Sequence, residues 1–146
     1  NLFGAYEGAA VSWDNLVRNR PNLIVVNSSG NDDGDCDPDP NNPVSCDGTL
    51  VSGQYYDLLG NFKNAKNIIT VGALNDDGTS KASFSSTGPS DDGRIKPDVA
   101  YWYDSIFTTT SSSPTAYTPS FGGTSAASAV PAKRKVAARK ANSRRR

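Results

Sequence analysis

Apolar residues in this chain fall in short runs separated by long polar stretches rich in turn formers. Residues 9–19, Ala-Ala-Val-Ser-Trp-Asp-Asn-Leu-Val-Arg-Asn, place Val11, Trp13, Leu16 and Val17 at spacings that suit one face of a helix, and Pro21 closes it. Leu23-Ile24-Val25-Val26 is a continuous, largely β-branched run, the pattern of a strand covered on both faces of a parallel sheet. Tyr55 to Leu59 reads as a short helical turn and Asn67 to Leu74 as a second buried strand. Asn75-Asp76-Asp77-Gly78 is a turn, Lys81 to Ser85 an alternating edge strand, and Gly88 to Gly93 another turn. Two further short strands are expected over Lys96–Ala100 and Ser105–Thr110, then a polar loop over Ser111–Pro119. The chain then enters a small-residue turn, Phe121-Gly122-Gly123, and a helix-prone run through Val130. Helix followed by buried strand reads as half of a βαβ unit, in a body that is α/β or all-β.

Composition adds an asymmetry. The 146 residues suffice for one domain, but 36% apolar content with 13 Gly and 9 Pro makes a lean, loop-rich one. All 15 acidic residues and seven of the 15 bases lie in residues 1–131, a balance of −8, and residues 132–146 carry the other eight bases and no acid. The expected organisation is therefore a folded body over 1–131 and a basic tail over 132–146 that binds polyanions only non-specifically. No aromatic interleaving or nucleic-acid module accompanies the tail, which argues against specific nucleic-acid recognition. No apolar run approaches the ~20 residues of a membrane span. The chain has no Met and opens Asn1-Leu2-Phe3, the look of an excised or processed piece.

The candidate chemistry sits in three places. Ser125 lies in the first turn of the expected helix, where unpaired N–H groups and the helix dipole favour developing negative charge. That suits a nucleophile, and it suits an ordinary helix cap as well. Asn31 follows the strand over 23–26 directly, and in open α/β sheets ligands gather beyond the carboxyl ends of the strands. The competing reading is a local turn residue beside Gly30. The third place is the segment from Asp32 to Leu50, a long aperiodic surface loop. Asp33, Asp35, Asp37 and Asp39 alternate there and offer the hard oxygens that Ca²⁺ prefers, the alternative being a solvated acidic loop. Cys36 and Cys46, with nine residues between them, are expected to pin that loop as a disulfide in an exported, extracellular protein.

Four segments in order resemble the subtilisin-like serine peptidases. Ile24 to Asn31 looks like the family's strand ending in Gly-Asn, and Asn64 to Ala73 like its next core strand. Phe84 to Pro89 with Gly93 to Val99 resembles the stretch before the active-site helix, and Gly123-Thr124-Ser125-Ala126-Ala127 resembles the family's Gly-Thr-Ser-x-Ala signature. The resemblance implies a secreted hydrolase acting on polypeptides, here as the carboxyl-terminal part of its catalytic domain, and an α/β fold with a partial doubly wound, mostly parallel sheet truncated at its amino-terminal half. It implies Ser125 as the nucleophile and Asn31 as a side-chain donor to the oxyanion hole, with Ser28, Ser29, Gly30, Gly123 and Thr124 along the substrate cleft. The chemistry needs no cofactor, only a possible structural Ca²⁺.

Two departures temper this. The chain contains no His, whereas a serine triad needs a base and a carboxylate to orient it. In the family both precede the Asn31 segment, so the chain is expected to be inactive alone and to partner a missing amino-terminal half. The family also places Pro four residues after the nucleophile, where this chain has Ala129. The rival expectation is a non-catalytic module that self-associates through exposed sheet edges.

Overall fold

The structure, a computed structural model, describes residues 3–33, 49–51, 54–56 and 58–132. In chain order its elements are helix α1 (Gly8–Arg18), strands β1 (Val26–Ser28), β2 (Thr49–Val51) and β3 (Gln54–Tyr56), a 3-10 turn (Asn61–Asn64), and strands β4 (Ile69–Leu74), β5 (Val99–Trp102), β6 (Ile106–Thr109) and β7 (Tyr117–Phe121). A helix over residues 123–132, α2, follows.

The run Ile69-Thr70-Val71-Gly72-Ala73-Leu74 takes the centre, with a strand on either side of it. Residues 70–73 of β4 are all buried. β1 and β5 flank it, both parallel, in the order β1-β4-β5, with Val26 opposite Ile69 and Val71 opposite Val99. Gly72 is required there: a Cβ on it would lie 2.9 Å from the Pro97 ring. Two apolar clusters form around this sheet. Val71, Ala73, Ala82 and Ala127 gather with Val26 and Ile69, whereas Ala10, Ala65 and Ile68 gather with Trp13, Val17 and Val25. Neighbours Val25 and Val26, like Ile68 and Ile69, go to different clusters, so α1 and α2 lie on opposite faces of the sheet. The expected α/β architecture with a parallel sheet is present.

Several elements differ from their sequence readings. The first strand begins at Val26 and continues into Asn27 and Ser28, while Leu23 is an exposed residue ahead of it. Pairing with β4 sets this register, and it carries two polar residues into the ladder. α1 turns Ala10, Trp13, Asp14 and Val17 inward and leaves Val11 and Leu16 exposed. Tyr55 and Tyr56 belong to β3, an antiparallel partner of β2, where a helical turn was expected. Lys81 to Ser85 contributes only one bridge, Lys81 to Leu74. The Ser85 hydroxyl accepts from the Ala73 N–H at 2.9 Å, taking a bond that a strand backbone would otherwise fill. Tyr117 to Pro119, the end of the expected polar loop, join Ser120 and Phe121 in β7, paired with β6 across an irregularity beside Pro119, which has no N–H to offer. The turn at 75–78 is as read: Gly78 N–H donates to Asn75 O at 2.9 Å, and Asp77 accepts from the Ser80 hydroxyl and from the Ser80 and Thr79 N–H groups, which hold its carboxyl at about 2.

Candidate active site

Asn31 and Ser125 lie 94 positions apart in sequence, and one buried residue brings their segments together. Thr124, with 1% exposure, donates its main-chain N–H to Asn31 Oδ1 at 3.0 Å and its hydroxyl to the same oxygen at 2.9 Å. The Thr124 hydroxyl also accepts from the Gly30 N–H at 3.3 Å. A main-chain N–H can only donate, so the group facing it is the amide oxygen, and the Asn31 Nδ2 is turned the other way with no acceptor among the described residues. Asn31 itself is exposed. The local-turn reading therefore gives way to a long-range one, since its side chain bonds across the fold. Its backbone φ is not positive either, Ser105 being the non-glycine residue in that region among those described.

Ser125, the next residue after Thr124, is exposed between Thr124 and the fully buried Ala126 and Ala127. Those alanines explain how the helix comes so close: with no side chain beyond Cβ, Ala127 packs directly on Val71 and Ala73. As the third residue of α2, Ser125 keeps a main-chain N–H that no helical carbonyl satisfies. Gly123 enters the helix at φ +76, and a Cβ there would lie 3.3 Å from Asn31 Nδ2. Both glycine conformation and close approach are needed at that one position.

The Asn31 loop is held from its other side by the segment after β4. Ser86 N–H donates to Gly30 O at 3.0 Å, the Asp32 N–H donates to the Ser86 hydroxyl at 3.0 Å, and that hydroxyl donates to Asp32 Oδ2 at 2.9 Å. Asp33 N–H donates to Phe84 O at 3.1 Å, and the Asp33 carboxylate is ion-paired to Lys81, whose ammonium also reaches Ser85 O at 3.3 Å. Lys63 Nζ lies 3.8 Å from Asp32 Oδ2, and none of Lys63, Lys81 or Ser86 was singled out from the sequence. The signal for Ser86 was the Phe-Ser-Ser-Thr-Gly-Pro segment, but nothing in it shows which serine grips the loop.

The other sequence candidates are placed as follows. Ser29 is fully buried, its hydroxyl 3.5 Å from that of Ser85, and Thr124 is equally enclosed, so neither side chain faces a cleft. Ser28 ends β1 half-buried, and Gly30 and Gly123 are partly exposed beside Asn31. Asp35, Asp37, Asp39 and the Cys36–Cys46 pair lie outside the described residues. No helix among the described residues is long and apolar enough to cross a membrane.

Chemically, the arrangement presents an exposed hydroxyl at a helix start beside an amide donor fixed in orientation. Comparison with known proteins bears on the family and the fold. The model of the subtilase family matches residues 3–142. Among solved structures, the self-cleaved protease domain of PatA is 20% identical with a TM-score of 0.56, over 89% of this chain and 38% of that one. The patellamide maturation protease PatA is 19% identical with a TM-score of 0.56, over 89% and 37%. The prenylagaramide maturation protease PagA is 18% identical with a TM-score of 0.55, over 88% and 36%. These likenesses show a shared fold, and the chain spans between 36% and 38% of the length of those three. No curated protein matches. With the family model covering nearly the whole chain, this chain belongs to the subtilase family.

Proposed function

We propose that this chain carries the nucleophile, Ser125, and an oxyanion donor, Asn31, of a serine endopeptidase. The observation that supports this best is the pair of Thr124 bonds to Asn31 Oδ1, which leaves Nδ2 without an acceptor among the described residues, next to Gly123 at the entry to α2. In peptide-bond hydrolysis the Ser125 oxygen attacks the carbonyl carbon, and the carbonyl oxygen takes up negative charge. Asn31 Nδ2 and the Ser125 N–H would donate to that oxygen, and donors already oriented lose little on reaching the transition state. The proton of Ser125 needs a base, and the 146 residues hold no His. The base and its carboxylate therefore come from outside them, and without these the hydroxyl is a weak nucleophile at neutral pH.

Fluorophosphonate labelling with mass-spectrometric mapping tests the reading. The chain alone is expected to stay unlabelled. Addition of a subtilase segment bearing the catalytic Asp and His is expected to bring labelling at Ser125, absent in Ser125→Ala. Rapid labelling of the chain alone would refute the missing base, and labelling at a different serine would refute the nucleophile.

Export and a Ca²⁺ held by Asp33, Asp35, Asp37 and Asp39 belong to the same reading. Asp33 fits the ion poorly, since Lys81 already occupies its carboxylate. The second reading, a self-associating module, is favoured by the sheet edges: among the described residues β1 and β5 pair only with β4.

A further inference from the structure

Asn31 is held at two levels, and the bonds from Thr124 are only one of them. Gly30, with no Cβ and φ +117, restricts the main chain little as it enters Asn31, so the direction of the turn is set from outside. Ser86 sets it. Its N–H donates at 3.0 Å to Gly30 O, which belongs to the peptide group before the Asn31 Cα. Its hydroxyl accepts at 3.0 Å from the Asp32 N–H, which belongs to the peptide group after it. The same hydroxyl donates to Asp32 Oδ2 at 2.9 Å. Peptide groups are planar, so fixing the two that flank a Cα fixes both dihedrals between them, and with them the direction of the Cα–Cβ bond.

The clamp is itself anchored on both sides. Ser86 is fully buried, and its neighbour Ser85, also buried, accepts from the Ala73 N–H at 2.9 Å and gives its own N–H to Ala82 O at 3.0 Å. After it, Thr87 O accepts from the Leu58 N–H at 2.7 Å. Asn31 is exposed and Asp32 half-buried, so water can satisfy these loop groups, but at no fixed position. A buried hydroxyl on an anchored segment supplies that position. We infer that Ser86 is a positioning residue for Asn31: it sets the direction in which the side chain leaves the main chain, whereas Thr124 sets the rotation of its amide. This rests on the reading of Asn31 as the oxyanion donor given above.

The test uses the full chain, ¹⁵N-labelled, and reads NMR order parameters at the Asn31 main-chain N–H and side-chain amide. The main-chain value is expected to fall from about 0.85 in the unmodified chain to below about 0.6 in Ser86→Ala, and the side-chain amide with it. Thr124→Val, which takes away one of the two bonds to Oδ1, should loosen the side-chain amide and leave the main-chain N–H ordered. Ser90→Ala, which removes another buried hydroxyl, should change neither. A main-chain N–H that stays ordered in Ser86→Ala, or that Thr124→Val or Ser90→Ala frees equally, would overturn the inference. Hydrogen exchange checks it without a substitution: the Asp32 N–H should exchange about 100-fold more slowly than in an unstructured peptide, and exchange at the unstructured rate would overturn it too. In the protein complemented with the Asp- and His-bearing segment, Ser86→Ala should lower kcat about tenfold with KM within about twofold, and should lower it no further in an Asn31→Ala background. Losses that multiply would refute the positioning role. An Asn31→Ala kcat equal to that of the unmodified protein would instead bring down the oxyanion reading, and the inference with it, even with the loop ordered as expected.

Discussion

Thr124 joins two segments with a single hydroxyl that donates to Asn31 and accepts from Gly30. Thr124→Val keeps the shape and removes both bonds, so it should cost about 1–3 kcal/mol in urea unfolding. It should also lower the rate of Ser125 labelling in the complemented protein while leaving Ser125 in place. On the proposed reading Asn31→Ala removes the oxyanion donor, and the expected loss in kcat of the complemented protein is about 10²- to 10³-fold, the magnitude being that of the subtilisin oxyanion-hole asparagine. An unchanged kcat would exclude Asn31 from the oxyanion hole. Asp14 is a separate structural device. Burial pushes its carboxyl up, but the Tyr6 hydroxyl at 2.6 Å and the Lys66 and Asn67 N–H groups at 2.9 and 2.6 Å outweigh this and hold it below the usual carboxylate range. A depressed carboxyl stabilises the fold above its unfolded value and loses that contribution as pH falls through its folded value. Asp14→Ala should therefore cost about 1–3 kcal/mol at neutral pH, with the difference from the unmodified chain closing below about pH 4. A difference that stays constant down to about pH 2 would show that the charge plays no part.

At the scale of elements, α1 illustrates how far periodicity reaches. The sequence pattern names Val11 and Leu16 as core, yet the buried stripe is Ala10, Trp13, Asp14 and Val17. An aspartate in a helical stripe reads as solvent-facing, and the Tyr6 hydroxyl with the two N–H groups after the 3-10 turn explains its inward position. Ala10→Leu should cost about 1–3 kcal/mol by overpacking, whereas Leu16→Lys should stay within about 0.5 kcal/mol, both read from thermal or urea unfolding. Reversed costs would restore the sequence-based face. The entry to α2 carries its own test: Gly123→Ala adds a Cβ at φ +76 against Asn31 Nδ2, so it should lower Ser125 reactivity as well as stability.

For the molecule as a whole, a three-stranded parallel sheet with both outer strands unpaired among the described residues is an incomplete surface. Val99 and Trp102 on β5 are 46% and 49% exposed, and an apolar edge of this kind pairs readily. Light scattering on the chain alone should show concentration-dependent association that weakens in Val99→Lys. A strictly monomeric, folded species would remove the self-associating reading.

The sequence by itself determined the class of the fold, because β4 is an apolar run that only double-sided burial satisfies. It also determined both chemical candidates: Gly-Thr-Ser-Ala-Ala and Gly-Asn are local signatures set by backbone constraints on adjacent residues. Strand ends, the face of α1, and the roles of Ser85 and Asp14 were decided by partners far away in the chain, since each depends on which N–H group lacks an acceptor. The orientation of Asn31 and the clamp on its loop belong to the tertiary structure alone. Thr124, Ser86 and Lys63 come from three separate segments, and no spacing along the chain tells which of their polar atoms meet.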